Sequence, residues 1–321
     1  MADDRTQGEY RPTVSAVIPN YKRKKDLREA LEAIKAQTYP IDEIIVVDNN
    51  SSDGTREMIE SEFPEVNFIQ SPHNIIIQAL NIGAKTAHGD IILHQDNDGV
   101  LAPDAVERMV RVFATDPRIA VVYLKNLYYD TGEAFQPMRW FTPEENESDG
   151  IFDTPSFHGN GAMIRRDVLE EIGYIEPEIL LYQFERNISA KAIDRGYRIV
   201  YHPAATIRHK ISKEVRDPGF KIYMMLTGGC WYLARFYPAG KALKYASYYL
   251  IFGVLYSFKH HTFKDLYRGI RDTLLRLPEV LRGRHVVSPE AIKVLESKPI
   301  EKAMIGYGSF DTMRAWMSKR K

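Results

Sequence analysis

Short β-branched apolar runs alternate with helical patterns over the first 125 residues, and this alternation constrains the fold more than any other feature. Continuous apolar runs bounded by turns are typical of strands buried on both faces, whereas Leu27, Leu31 and Ile34 recur at the spacing of one helical face. The predicted strands are residues 14–19, 43–48, 67–70, 90–94 and 119–124. The order βαβαβαβαβ predicts an α/β fold with a Rossmann-like, mostly parallel sheet flanked by helices.

Three polar segments, NYKR, DNNSSDG and HQDNDG, begin where the first, second and fourth predicted strands end. Open sheets of this kind bind ligands at the carboxyl ends of their strands. Asp96 and Asp98 in the third segment point to the same side if the chain stays extended. Two carboxylates at that place suit a hard divalent cation that also takes phosphate oxygens. One of them would ligate directly, and the other would act through water or orient sugar hydroxyls.

The later chain changes character twice. Residues 125–155 are rich in Tyr, Phe, Pro and acids and are interpreted as a mobile substrate loop. The net charge of zero hides an asymmetry, because residues 207–321 hold 22 Lys plus Arg against 9 Asp plus Glu. The predicted organisation is a flexible tail (1–12), a catalytic domain (13–215, divided into 13–125 and 126–215) and a helical, basic, amphipathic C-terminal extension (216–321).

The extension raises the question of a membrane. Its apolar run at 245–258 is shorter than the roughly 20 residues that a spanning helix needs. From Phe263 onward, apolar residues at helical spacing lie among Lys and Arg, which indicates either an interfacial helix on an anionic membrane or a packed helix with a basic outer face. No signal peptide is visible and Cys230 is the one cysteine, so we expect a cytoplasmic protein that is peripheral on the inner face of the cell membrane.

The segments NYKR, VVDNNSSDGT, ALNIGA, HQDND and GYRIVYHPAATIRH occur in an order that resembles family 2 glycosyltransferases of the GT-A fold, over about residues 14–209. The chain is similar to rhamnosyltransferase-like enzymes of bacterial and archaeal cell-surface glycans. The resemblance implies a metal-dependent inverting transfer from a nucleoside diphosphate sugar, UDP- or dTDP-linked, to a hydroxyl of a saccharide acceptor. The basic, aromatic C-terminal extension suggests that this acceptor is lipid-linked. It also implies Mn²⁺ or Mg²⁺ as the metal.

The family pattern assigns roles to individual positions. The resemblance implies nucleotide contacts from Pro19, Asn20, Tyr21, Arg23, Asp48, Asn49, Asn81, Asp96 and Asn97, metal ligation by Asp96, Asp98 and His209, and substrate contacts from His158, Gly159 and Asn160. An imidazole beside carboxylates fits Mn²⁺ better than Mg²⁺. Two positions depart from the pattern: Asn49 stands where a second acid is usual, and Ile75 stands where a glycine is usual. Asp53 either has a role at the site or, with Ser52, caps the next helix.

The general base is expected on a helix that starts near residue 182. Where the family has Glu-Asp-x-Asp, this sequence has Phe184-Glu185-Arg186-Asn187, so Glu185 takes the place of the base. Glu176, Glu178 or an inactive site are the alternatives. Lys210, Lys213 and Arg216 either close over the diphosphate or form a solvated loop.

Three functions of other classes compete with this one. The altered motif would also suit a catalytically impaired protein that binds nucleotide sugar or glycan. A nucleotidyltransferase would carry a glycine-rich loop after its first strand, and VIPNYKRKK has no glycine. No nucleic-acid partner is expected, because the aromatic residues of the basic third cluster in apolar runs and do not alternate with the cations.

Overall fold

The computed structural model describes residues 10–134, 141–179, 181–210 and 217–298. Its strands are β1 (Val14–Asn20), β2 (Glu43–Asp48), β3 (Asn67–Gln70), β4 (Ile91–His94), β5 (Gly99–Leu101), β6 (Ile119–Tyr128), β7 (Phe152–Asp153), β8 (Ala162–Arg165) and β9 (Arg198–His209). Its helices are α1 (Lys24–Lys35), α2 (Thr55–Glu62), α3 (Gln78–Thr86), α4 (Ala105–Phe113), α5 (Pro143–Asn146), α6 (Arg166–Ile172), α7 (Phe184–Asp194), α8 (Pro218–Phe236), α9 (Ala239–His260), α10 (Phe263–Arg282) and α11 (Pro289–Leu295).

The first half of the sheet follows the sequence prediction. Strands β3, β2, β1 and β4 are neighbours in that order, and each adjacent pair is parallel. All five predicted strands are present, and their bounds differ from the prediction mainly at β6, which continues to Tyr128. The carboxyl ends of β1, β2 and β4 therefore meet at one edge of the sheet.

The second half is antiparallel in part, so the sheet as a whole is mixed. β8 lies between β4 and β6 and runs antiparallel to both. β6 and β9 are parallel, and β9 also pairs antiparallel with β5 and β7. β9 is one strand although Pro203 interrupts its apolar run. β9 bulges between its pairs His202–Leu124 and Thr206–Lys125, where it has three residues without a partner in β6. Pro203 is one of these three, so its lack of a backbone N–H costs the sheet no hydrogen bond to β6.

The segment at 125–155 is more regular than predicted. Its start belongs to β6, and α5 and β7 lie within it. The capping box of Thr142 and Glu145 begins α5, and the Lys125 Nζ donates to the Asn146 carbonyl at 2.8 Å. Residues 135–140 lie outside the described part, so the substrate-loop interpretation stays a prediction.

Hydrophobic clusters cover both faces of the sheet. Helices α1, α2 and α4 pack on one face, around Ile18, Leu31 and Phe113. On the other face, the cluster runs from Val17 in β1 through Ile188 in α7 to residues of α8, α9 and α11 such as Tyr232. The C-terminal helices are thus packed against the sheet domain. The division at residues 215 and 216 remains a prediction.

Candidate active site

A chain of side-chain hydrogen bonds joins the three predicted loops. The Asn97 Nδ2 donates to the Asn20 Oδ1 at 2.6 Å, and the Asn20 Nδ2 donates to the Asp48 Oδ1 at 2.7 Å. The backbone N–H of Ser51 donates to the other oxygen of Asp48 at 2.6 Å. Loops that follow β1, β2 and β4 therefore form one connected rim, as the carboxyl ends of parallel strands should.

Asp48 and Asn49 serve this rim in a way that the sequence did not indicate. Both are buried, and we expected one of them to face a pyrimidine. Instead, the Asn49 Oδ1 accepts from the Ile75 N–H at 2.9 Å and its Nδ2 donates to the Ile76 carbonyl at 3.3 Å. Ile76 has φ of 54°, a left-handed conformation that is unusual for a β-branched residue. These two hydrogen bonds of Asn49 thus stabilise the loop that precedes α3.

Asn81 is also used elsewhere. Its Oδ1 accepts from the Ile175 N–H at 3.0 Å and its Nδ2 donates to the Ile175 carbonyl at 2.8 Å. These bonds fasten α3 to the segment between α6 and α7. Both polar atoms of the Asn81 side chain thus have protein partners, and the nucleotide contact expected from Asn81 stays a prediction.

Three side chains gather at the expected metal position. Single ligand atoms of Asp96, Asp98 and His209 all lie within 4.8 Å of one another. Strand pairing explains the arrangement, because Gly99 of β5 faces His209 of β9 and the Lys210 N–H donates to the Asp98 carbonyl at 2.9 Å. The His209 Nε2 lies 3.1 Å from the Asp98 Oδ1. Strand β5 was not predicted, and it is the element that brings Asp98 to His209.

Opposing effects set the charge of this cluster. Burial acts to raise the pKa of Asp96, but the neighbouring His94 and His209 outweigh it and hold that pKa below its usual value. Burial acts to lower the pKa of His209, but the hydrogen bond to Asp98 and the charges of Asp98 and Asp96 together outweigh burial and raise that pKa. The lowered pKa of Asp96 favours its ionised form, which is the form of a carboxylate that binds a divalent cation.

The nucleotide loop after β1 borders the same cluster. Arg23 forms an ion pair with Asp98 through its Nη1, and it lies 3.8 Å from Asp26. Tyr21 is exposed and Pro19 is half-buried, so both remain open to a ligand. The Lys22 N–H donates to the Ser51 Oγ at 2.8 Å, which ties this loop to the rim.

Residues 158–160 lie around Asp96, where the substrate contacts were expected. The Asn160 Oδ1 accepts from the Asp96 N–H at 3.2 Å. The rings of His158 and His209 are 6.2 Å apart, and burial lowers the pKa of His158 to about 4. Gly159 sits under Phe184, where a Cβ would overlap the aromatic ring. Close packing thus requires a glycine there.

His94 stands at the start of HQDNDG and was not predicted to be a site residue. Its side chain is 3% exposed, its Nε2 lies 3.6 Å from the Asp96 Oδ1, and its ring meets Phe184 edge-on at 5.4 Å. Neither ring nitrogen makes a hydrogen bond within the described residues. His94 therefore links the acidic loop to the start of α7. A histidine at the end of an otherwise apolar predicted strand was the feature of the sequence that could have indicated this residue.

Glu185 stands in the first turn of α7, next to Phe184. Burial raises the pKa of Glu185 to about 7, and the charge of Asp96 acts in the same direction. Perturbed carboxyl groups beside other site residues are candidates for acid–base chemistry. Glu185 therefore remains the predicted base.

Glu176 and Glu178 are engaged elsewhere. The Glu176 Oε1 lies 3.2 Å from the Lys191 Nζ, and the Glu178 Oε1 accepts from the Arg235 Nε at 2.7 Å. Asn187, where the family pattern has a second acid, accepts from the Glu176 N–H at 3.3 Å. These ion pairs leave Glu176 and Glu178 poorly suited to be the base.

Two further expectations are resolved by contacts with α1. Asp53 accepts from the Lys24 N–H at 3.0 Å, at the start of α1, and from the Thr55 hydroxyl at 2.6 Å, at the start of α2, whose N-cap position is Gly54. Lys210 lies 2.5 Å from the Glu29 Oε2 and 3.3 Å from the Asp26 Oδ1, so it is neither solvated nor placed over the cluster. Lys213 and Arg216 lie outside the described residues.

Comparison with families and curated proteins gives a consistent result. The family model described as Glycosyl transferase family 2 matches residues 15–173. The O-antigen chain rhamnosyltransferase RfbN of Salmonella typhimurium is 29% identical over 222 residues, which cover 64% of this chain and 68% of that protein. Glycosyltransferase AglE of Haloferax volcanii is 26% identical over 219 residues, covering 64% and 71%. With an uncharacterized glycosyltransferase of Haemophilus influenzae, 30% identical, the match spans 37% of that protein.

Solved structures share the fold. Mannosyltransferase PcManGT from Pyrobaculum calidifontis, in complex with GDP-Man and Mn²⁺, aligns over 97% of this chain and 80% of its own, with 21% identity and a TM-score of 0.57. GalNAc-T7 with UDP, GalNAc and Mn²⁺ aligns over 70% and 50%, with 17% identity and a TM-score of 0.55. At these identities the likeness establishes the GT-A architecture.

Proposed function

This chain is a family 2 glycosyltransferase of the GT-A fold, and from that premise we propose that it moves a sugar from a nucleoside diphosphate sugar to a saccharide hydroxyl with inversion. The observation that carries the proposal is the cluster of Asp96, Asp98 and His209 close to a carboxyl, Glu185, whose pKa is raised to about 7. The three-residue cluster is thus suited to hold a cation beside a leaving diphosphate, and Glu185 is suited to accept a proton.

Asp96, Asp98 and His209 are the residues that would hold Mn²⁺ or Mg²⁺. Two carboxylates and an imidazole within 4.8 Å fit a cation that keeps open positions for phosphate oxygens, and the imidazole favours Mn²⁺. Such a cation supplies positive charge to the departing diphosphate. Asn20, Tyr21, Arg23 and Asn97 would border the nucleotide, for which we propose a UDP- or dTDP-sugar.

Glu185 would accept the proton of the acceptor hydroxyl while that oxygen attacks the anomeric carbon. A base with a pKa near the working pH combines a useful ionised fraction with a useful proton affinity. A single displacement inverts the anomeric carbon, because the nucleophile enters opposite the leaving group. His158, Gly159 and Asn160 would line the sugar side of this path.

For the acceptor we propose a lipid-linked saccharide, handled by a protein peripheral on the inner face of the cell membrane. The basic surplus of residues 207–321 supports this setting. None of the helices in the described ranges is long and apolar enough to cross a bilayer. The apolar run at 245–258 falls within α9.

Release of nucleoside diphosphate tests the proposal. The full chain with Mn²⁺ is incubated with UDP-, dTDP- and GDP-sugars in turn, and we expect slow hydrolysis of one UDP- or dTDP-sugar. Asp98→Asn should abolish it, whereas Asp149→Asn, at an aspartate whose side chain is 87% exposed, should not. Use of GDP-mannose alone would contradict the donor class and leave the transfer reaction standing.

The altered motif at Phe184-Glu185-Arg186-Asn187 favours a second candidate, a nucleotide-sugar-binding protein with impaired catalysis. Calorimetric binding of a donor without turnover, with every acceptor and metal offered, would support that alternative. Turnover that depends on Glu185 would exclude it.

A further inference from the structure

The exposed apolar side chains of this protein are concentrated on two adjacent helices. Fourteen large hydrophobic residues are exposed in the described ranges, and nine of them lie on α9 and α10. We call these nine the α9–α10 face: Leu243, Leu250, Ile251, Phe258, Phe263, Tyr267, Leu274, Leu275 and Leu281. Single exposed hydrophobic residues are common on proteins, but a concentration of this kind marks an interaction surface.

One flank of α10 packs against the protein, and this fixes the orientation of the other flank. Leu266 and Val280 are buried, Gly269 lies against Leu226 of α8, and the Trp231 Nε1 donates to the Thr273 carbonyl at 3.3 Å. Because an α-helix has 3.6 residues per turn, side chains spaced four or seven apart stay on one flank.

Phe263, Tyr267, Leu274 and Leu281 have that spacing and form an exposed apolar stripe. Tyr267 is 69% exposed and Leu274 is 62% exposed, so the stripe reaches fully into solvent. At the turn between the helices, the rings of Phe258 and Phe263 meet at 4.9 Å, which makes the apolar surface of α9 continuous with that of α10.

A basic stripe runs beside the apolar one. Lys264 and Arg282 each follow a residue of the apolar stripe by one position, and Arg271 lies between them at the same helical phase. All three are exposed. Helices that rest in a bilayer interface combine these two features, because apolar side chains enter the acyl boundary and cations meet lipid phosphates.

We infer that the α9–α10 face docks in the plane of an anionic bilayer and holds the protein there without a spanning helix. Docking of two copies through this face is disfavoured, since it would place Lys264, Arg271 and Arg282 of both copies against one another. The inference deepens the proposed function, because a lipid-linked acceptor would be presented at that surface. It does not depend on turnover.

Flotation of the full chain with vesicles tests the docking. We expect it to float with equal parts of phosphatidylglycerol and phosphatidylcholine and to stay unbound with phosphatidylcholine alone. Leu274→Ser with Leu275→Ser should abolish flotation, and both side chains are exposed, so folding should survive. Lys264→Gln with Arg282→Gln should weaken partition about thirtyfold, at about 1 kcal/mol per charge. Ile151→Ser, at an exposed apolar residue outside this face, is the matched control and should float like the wild type.

Several outcomes would overturn the inference. One is equal flotation of the wild type and the Leu274/Leu275 variant. Another is a wild-type dimer in gel filtration that becomes a monomer in that variant without any vesicle binding, which would make a second copy the occupant. A third is flotation that appears only after residues 299–321 are removed, which would make the chain's own end the occupant.

Donor hydrolysis is measured in the same preparations without vesicles. Hydrolysis without flotation would contradict the membrane docking and leave the transfer proposal intact. Flotation without hydrolysis would contradict the transfer proposal and leave the membrane docking intact.

Discussion

Arg23 and Asp98 form an ion pair at the edge of the cluster that would hold the metal. Asp98 thereby contacts two cationic or potentially cationic side chains, because its other oxygen lies 3.1 Å from the His209 Nε2. A divalent cation at this carboxylate would have to compete with Arg23. The same arginine would then be free to meet the phosphates of a donor, so metal and nucleotide binding should be linked through it.

We therefore expect Arg23→Ala to strengthen binding of Mn²⁺ alone and to weaken binding of the nucleotide sugar. Loss of a competing bond to a charged group is worth about a factor of ten. Mn²⁺ titration followed by electron paramagnetic resonance measures the metal affinity without any turnover. Asp98→Asn should remove the site, and Arg23→Lys, which keeps the charge, should stay close to the wild type. Weaker Mn²⁺ binding by Arg23→Ala would show that Arg23 orients Asp98 and does not compete for it.

The second prediction concerns the pH dependence of turnover. Burial raises the pKa of Glu185 to about 7, so the ionised base is lost as the pH falls through that range. The wild-type kcat should decline below about pH 7 with a single-proton slope. Glu185→Gln should lower kcat by about 10²- to 10⁴-fold and remove that limb. A variant that keeps both the rate and the limb would move the base to another residue.

The same group makes a prediction about stability. Its folded-state pKa lies above the unfolded value of 4.5, so the stability it contributes is fully present below pH 4.5 and is lost as the pH rises through about 7. Glu185→Gln removes this penalty. Between pH 4 and pH 8, the free energy of unfolding of the variant should rise by about 3 kcal/mol relative to that of the wild type. Urea unfolding at the two pH values measures this, and a pH-independent difference would contradict the raised pKa.

The parallel half of the sheet and its loops could be predicted because their signals are local. Each strand is a continuous apolar run, and short connections force neighbouring loops such as those of Asn20 and Asn97 to one edge. The antiparallel half could not be predicted, because β5 has three residues and its partner in β9 lies more than a hundred positions away. Asp98 and His209 were expected to share a metal by resemblance, and the β5–β9 register supplies the physical reason for their proximity.

The contacts that the sequence did not indicate also have a common cause, since they join side chains to partners that are distant in sequence. Asn49 bonds to the backbone of Ile75 and Ile76, and Asn81 bonds to Ile175. An amide at a loop position gives no local sign of whether it faces a ligand or the protein's own backbone. Glu178 likewise gave no sign of its pairing with Arg235 on α8.

The hydrogen bonds of Asn49 to Ile75 and Ile76 lead to a prediction that separates a structural role of Asn49 from a role in nucleotide recognition. Asn49→Asp keeps an acceptor for the Ile75 N–H but puts a carboxylate oxygen against the Ile76 carbonyl. Loss of that hydrogen bond in a buried site should lower the free energy of unfolding by about 1–3 kcal/mol. Urea denaturation checks this. Asn50→Asp, at the exposed neighbour, is the control and should change little. If Asn49→Asp keeps the wild-type stability but changes which nucleotide sugar is used, Asn49 contacts the nucleotide.

Gly159 carries a prediction about the position of the base. A Cβ at this residue would overlap Phe184 and lie 3.1 Å from the His94 Cε1, so Gly159→Ala should push the first turn of α7 away from Asp96. A displacement of about 1 Å at a catalytic group costs about 100-fold in rate. We expect kcat to fall by that factor with Mn²⁺ affinity retained. Gly240→Ala, at an exposed position of α9 where nothing lies within 4 Å of the added Cβ, is the control for the substitution itself and should leave kcat unchanged.

The last prediction concerns the ion pairs that fasten α7 and its preceding segment to the C-terminal helices. Arg235 and Glu178 are both buried, and Arg235 also donates to the Gly283 carbonyl at 2.5 Å. Arg235→Met would leave a buried carboxylate without its cation, which costs about 3–5 kcal/mol. Because replacing a buried pair with apolar groups is often neutral, Arg235→Met with Glu178→Leu should recover most of that loss. Arg28→Met, which breaks the exposed pair with Glu62, should barely change the urea midpoint. If the single and double variants of the buried pair are equally unstable, the loss of stability comes from lost packing or from the unpaired Gly283 carbonyl. The Arg235–Glu178 ion pair then does not stabilise the position of α7.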